Sequence, residues 1–114
     1  MTDQDSPTPV IFRTFRTPAD TIRGFAWQDD VIALFPTIPL DIEGKYMLSY
    51  MYVGQHGGAN YRFLLQTTRP ATEPEYAPLK EELKRGGYTL LVCRRVEPWL
   101  TRQYDIAVKE AREL

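Results

Sequence analysis

The sequence predicts an α+β fold: a small, mainly antiparallel sheet in the order β-β-β-α-α-β-α, with helices packed on one face. Three observations predict it. Strand-length apolar and aromatic runs crowd the first half, at Val10–Arg16, Val31–Phe35 and Tyr46–Val53. A capped helical pattern spans Ala71–Gly87 and is terminated by Gly86-Gly87. One further strand pattern, Tyr88–Val96, then stands between that helix and another opening at Pro98.

Residues 1–9, MTDQDSPTP, hold two prolines, two aspartates, a serine and two threonines and read as a disordered tail. Residues 10–97 read as one α+β domain and 98–114 as a C-terminal helix. The strand Val10–Arg16 carries Arg13 and Arg16, which suggests a sheet edge or a face partly in water. Residues 17–30 give no clear pattern; Trp27 is a candidate for partial core. Val31–Phe35 is continuously apolar, as in a strand covered on both faces, and Pro36 is expected to end it. The following loop carries Asp41 and Glu43, read as a solvated turn.

Tyr46–Val53 alternates Tyr46, Leu48, Tyr50 and Tyr52 on one face with Met47, Ser49, Met51 and Val53 on the other. Neither face is strongly polar, so this strand belongs inside the sheet. The sequence Gly54-Gln-His-Gly-Gly58 then reads as a polar corner, because glycine turns the chain cheaply. Tyr61–Leu65 suits a short helix, and Arg69-Pro70 breaks it.

Thr72 and Glu75 form a capping box, and Pro74 lies in the first turn, where its missing donor costs little. Tyr76, Leu79 and Leu83 share one face of this helix. In Tyr88–Val96, Cys93 reads as core, while Arg94 and Arg95 leave the strand toward opposite faces and are candidates for an anion site. In the last helix Leu100, Tyr104, Ala107, Ala111 and Leu114 form a narrow seam. The seam can pack on the chain's own sheet or join two copies as a homodimer.

Composition narrows the function classes. The 114 residues carry 14 basic and 15 acidic side chains, a net charge of −1, so no global basic field draws nucleic acid. One cysteine excludes an internal disulfide and makes a reducing cytoplasm the simplest home. No apolar run approaches the ~18 residues that a membrane helix needs. One histidine and one distant cysteine make no zinc site, so neither metal nor cofactor is expected.

The remaining polar groups concentrate around residues 50–69. His56 is the lone group that titrates near neutrality unperturbed. Glycine-flanked backbone amides, with Arg62 and Arg69, offer charge to an anion. Two readings stay open, and a third, single-stranded nucleic-acid binding by aromatic residues and arginines on strands, is opposed by the net charge. The first is a non-catalytic binding or accessory module using Tyr50, Tyr52, Gln55, His56, Gly57, Asn60, Arg62 and Arg69, with a protein or a small anionic group as partner. The second is a small enzyme with His56 as general acid or base on an anionic substrate, Tyr50 or Asn60 orienting it and Arg69 holding its charge. No nucleophile elbow or nucleotide fingerprint accompanies His56, which favours the first.

The pieces Val10-Ile-Phe-Arg13, Ala33-Leu-Phe-Pro36, Ser49-Tyr50, Val53-Gly-Gln-His-Gly57, Thr68-Arg-Pro-Ala71 and Gly87-Tyr88 resemble a family of small hypothetical proteins from bacteria and phages, to which no activity is attached. The resemblance spans roughly residues 10–95. It implies neither substrate nor cofactor.

Overall fold

In the computed structural model, residues 6–15, 31–51 and 55–113 are described, with Gln55 and His56 described by their backbone alone. The expectations for residues 1–5, for Trp27 and for Tyr52, Val53 and Gly54 lie outside these residues. The strands are β1 (Thr8–Phe15), β2 (Val31–Pro39), β3 (Met47–Met51), β4 (Gln55–Ala59), β5 (Thr68–Pro70) and β6 (Leu90–Cys93). The helices are α1 (Tyr61–Thr67), α2 (Glu73–Arg85) and α3 (Pro98–Arg112). The sheet runs β4-β3-β2-β1-β5, and β6 pairs with β1 beside β5. All pairings are antiparallel except β1 with β6.

The fold class stands as expected, and the meander β1-β2-β3 is extended by one strand. The helices, however, divide between both faces. Alternation along β1 and β2 sends Val10, Phe12, Val31, Ala33 and Phe35 to one side, where Leu79 and Leu83 of α2 complete the cluster. Ile11, Ile32 and Leu34 go to the other side with Met47, Ala59 and Leu64 of α1, and Tyr104 of α3 packs there too. Because β1 and β2 are apolar on both faces, the sheet must be covered twice.

Four local expectations are corrected. β1 is central rather than an edge, and its Arg13 is buried, 6% exposed. Thr8 and Pro9, assigned to the tail, pair with Leu90 and Leu91 as the first residues of β1. Pro36 does not end β2; the strand continues to Pro39 across a register shift between Phe35 and Pro39, where pairing with β3 lapses and a missing N–H costs little. The glycines after Gln55 make no corner. Gly57 and Gly58 are extended residues of β4, and a Cβ on Gly58 would come within 2.8 Å of Leu40 Cδ2, so the glycine makes room for a neighbouring side chain.

α2 matches its sequence signature. The capping box of Thr72 and Glu75 is formed. The helix runs through Pro78 and ends in a Schellman motif: Tyr88 N donates to Leu83 O and Gly87 N to Lys84 O, with Gly87 at φ 105°. α3 uses its seam at home. Leu100 and Val108 are buried, and the Tyr104 hydroxyl donates to Tyr46 O at 2.6 Å. Leu100 and Tyr104 of the stripe offered to a second copy are therefore occupied by the chain's own sheet, and Leu114 lies outside the described residues. No helix among the described residues is long and apolar enough to cross a membrane.

Candidate functional site

The sheet order separates the residues that the sequence groups together. β4, with Gln55, His56 and Gly57, lies at one edge; β5, with Arg69, lies four strand positions away. At about 4.8 Å per step, that is roughly 19 Å. Gln55 pairs with Met51 and His56 with Tyr50 in the β3–β4 register. The enzymatic reading rests on the His56 side chain, which lies outside the described residues.

Tyr50, Gly57 and Asn60 have partners within the fold. Tyr50 lies on the α2 side of the sheet; burial, and then the hydrogen-bonded carboxylate of Glu82, push its hydroxyl pKa up. Gly57 O accepts from Ser49 Oγ at 3.0 Å. Asn60 caps α1, its Oδ1 accepting from Phe63 N at 3.2 Å. Arg62 is exposed on α1 and makes no ion pair among the described residues.

Arg69 is engaged too. Its guanidinium grips Glu75 with both nitrogens, at 2.9 and 2.6 Å, tying β5 to the first turn of α2. Arg69, and next the Thr72 amide, hold the Glu75 carboxyl down from its ordinary 4.5 to about 2. A pKa lowered by folding stabilises the fold above the unfolded value and loses that contribution as pH falls through the folded one. Glu75→Ala is therefore expected to cost about 1–1.5 kcal/mol at pH 7, since it removes a cap and a solvent-screened ion pair. Urea titrations should show this difference shrinking between pH 4.5 and about 2. A difference that stays constant down to pH 2.5 would contradict the assignment.

The described residues do form a cleft, at a different place. β5 and β6 share one edge of β1, ending toward each other: Pro70 stands opposite Arg13 and Cys93 opposite Ile11. From that meeting point the chain departs to opposite faces, Ala71 toward α2 and Arg94 toward α3. Ala71 N donates to Phe12 O at 3.0 Å, closing the backbone between the two strand ends. Where connections diverge to opposite faces at strand C-termini, a crevice is left.

On the α1 and α3 side this crevice measures about 630 Å³ and is walled by Arg13, Tyr61, Leu65, Cys93, Arg94, Arg95 and Glu97, with Pro70 at the seam. A smaller hollow of about 290 Å³ opens on the α2 side and shares Pro70, Cys93 and Arg94. Arg94 thus stands on the ridge between the two.

The wall of the larger cleft carries three arginines against one glutamate, a net +2 in a chain of net −1. Arg13 is fixed in the floor: Nε donates to Thr68 Oγ1 at 2.6 Å and Nη2 to Thr68 O at 2.8 Å. Arg95 donates to Glu97 at 2.9 Å; Arg95 is largely exposed and Glu97 half-buried. Arg94 is exposed and makes no hydrogen bond or ion pair among the described residues. Tyr61 Oη accepts from Val96 N at 3.4 Å, which pins the aromatic wall to the β6 exit. Burial raises the pKa of the Cys93 thiol, which lines the cleft.

The sequence marks Arg94 and Arg95 as candidates for an anion site, but suggests for Arg13 a sheet edge or a face partly in water and reads Cys93 as core. Their convergence depends on the parallel β1–β6 pairing, which joins residues some eighty positions apart. No three His, Cys, Asp or Glu residues among those described cluster in a way that could hold a metal ion. No protein-family model, curated protein or solved structure matches this chain.

Proposed function

We propose that this protein is a non-catalytic binding module that takes an anionic group into the cleft between the ends of β5 and β6. The observation that carries this reading is the concentration of Arg13, Arg94 and Arg95 in the lining of one concave site in an otherwise acidic-leaning chain. A guanidinium presents a rigid fork of donors that suits phosphate or carboxylate oxygens. The same lining supplies apolar and aromatic surface from Tyr61, Leu65 and Pro70. The ligand therefore carries its charge on an apolar or aromatic body, and the volume is in the range of small-ligand sites.

The test is a titration followed by ¹H–¹⁵N correlation spectra, with inorganic phosphate and phenyl phosphate as probes. Both are expected to shift the amides of Tyr61 and residues 93–97, phenyl phosphate binding several-fold tighter through the apolar surface. Arg94→Glu combined with Arg95→Glu is expected to weaken both by about 10-fold or more, since it replaces attraction with repulsion at two positions. Shifts that are absent, or unchanged in the double variant, would remove this function.

A further inference from the structure

We infer that the partner carrying this anionic group is an extended acidic peptide segment, which adds as a strand to the free edge of β6 and delivers its carboxylates to Arg94 and Arg95. The inference rests on the anion-binding reading and gives its ligand a shape.

Among the described residues β6 pairs with β1 alone, so its outer row of backbone donors and acceptors has no strand partner. Natural sheets blunt such edges with proline, inward charge or a covering element. The sequence Leu90-Leu-Val-Cys93 contains none of these, and Leu91 and Val92 are 40% and 36% exposed, one toward each face. An added strand would cover both. The opposite edge, β4, carries Gly57 and Gly58 and has less side chain to grip a peptide.

Charge selects the occupant. β6 runs directly into Arg94 and Arg95, so an antiparallel peptide with acidic residues at its N-terminal end meets them as its backbone pairs with Leu90–Cys93. A second copy of this chain is the weaker occupant. Four residues of edge pairing fall far below the ~1,200 Å² of a stable interface, and two copies would bring their own arginines rather than acids to the edge.

The probe is the blocked peptide acetyl-Glu-Glu-Val-Thr-Val-Thr-amide, titrated against the full chain in the same spectra. Binding is expected at a dissociation constant on the order of 100 µM, the weak end for so small an interface. Shifts should appear at residues 89–95. A Lys-Lys counterpart, the same peptide N-methylated at alternate amides, and the Arg94→Glu, Arg95→Glu chain should each bind about 10-fold more weakly or worse. Val92→Lys, placed on the edge itself, should also block binding, with its thermal midpoint measured to show that it is folded.

If phosphate binds and the peptide does not, this inference fails and the anion site stands. If neither binds, both fail. Equal binding of the N-methylated peptide would overturn strand addition. A concentration-dependent dimer that Val92→Lys disperses would assign the edge to a second copy and overturn the acidic partner.

Discussion

Phe35→Ala is expected to be the most destabilising single change in this chain, costing about 3–5 kcal/mol. Phe35 is fully buried in the middle of β2. Its ring lies 5.2 Å from that of Tyr88 at 22°, and it shares a cluster with Val10, Phe12, Val31, Ala33, Leu79 and Leu83. Truncation loses the transfer free energy of the ring and leaves a cavity bounded by strands on one side and α2 on the other. Strands cannot slide to fill such a hole without breaking their hydrogen-bond register, so relaxation is limited.

The consequence reaches the cleft, because the same cluster holds α2 against the sheet, and the tether from α2 through Glu75 and Arg69 sets where β5 ends. At roughly 4 °C per kcal/mol for a chain of this size, the thermal midpoint should fall by about 12–20 °C. Phe63→Ala is the control. Phe63 is 61% exposed on α1, and its loss should stay within about 0.5 kcal/mol. Calorimetry giving Phe35→Ala less than about 1.5 kcal/mol would mean that the α2 layer is not seated as described.

Arg13→Met is expected to cost about 2–4 kcal/mol, and it tests a polar rather than an apolar lock. Thr68 is fully buried, and its hydroxyl both receives Arg13 Nε and donates to Leu64 O. Arg13 Nη2 takes the Thr68 carbonyl as well. One guanidinium therefore joins the end of α1 and the start of β5 to β1. Methionine keeps the length of the side chain and removes the donors, so two hydrogen bonds to the buried Thr68 are lost. Lysine should rescue little, because a single ammonium cannot span the hydroxyl and the carbonyl as a planar fork does.

Thr68→Val should cost about 1–3 kcal/mol, and the two changes together should cost less than their sum, since both break one network. Full additivity in chemical denaturation would show that the two side chains act separately. Arg13→Met should also weaken phosphate binding, because the cleft loses the charge in its floor.

How far the sequence carried differs from element to element. α2 was readable to within two residues at each end, since its determinants are local: a capping box, a proline in the first turn, one apolar face and Gly87 at a left-handed terminus. α1 and β3 were likewise visible in their patterns. β5 was not. Three residues, Thr68–Pro70, are too few to show periodicity, and they are a strand because β1 has an open edge there. Arg13 misled for the same reason: an arginine in a strand reads as solvent-facing until a buried partner such as Thr68 is found for it. The glycines beside His56 misled in another way, because glycine permits a turn without requiring one.

By itself, then, the order of amino acids settled that this chain builds an α+β layer, and which segments are helices or strands wherever the signal lies within about ten neighbouring residues. Only the tertiary arrangement decided which charged groups meet. Arg13, Arg94 and Arg95 come together because β6 returns to lie parallel to β1, a contact between distant segments driven by burial of apolar strands on both faces. Burial energy is non-directional along the sequence, so the pairing it selects leaves no local trace in the residues that it brings to the cleft.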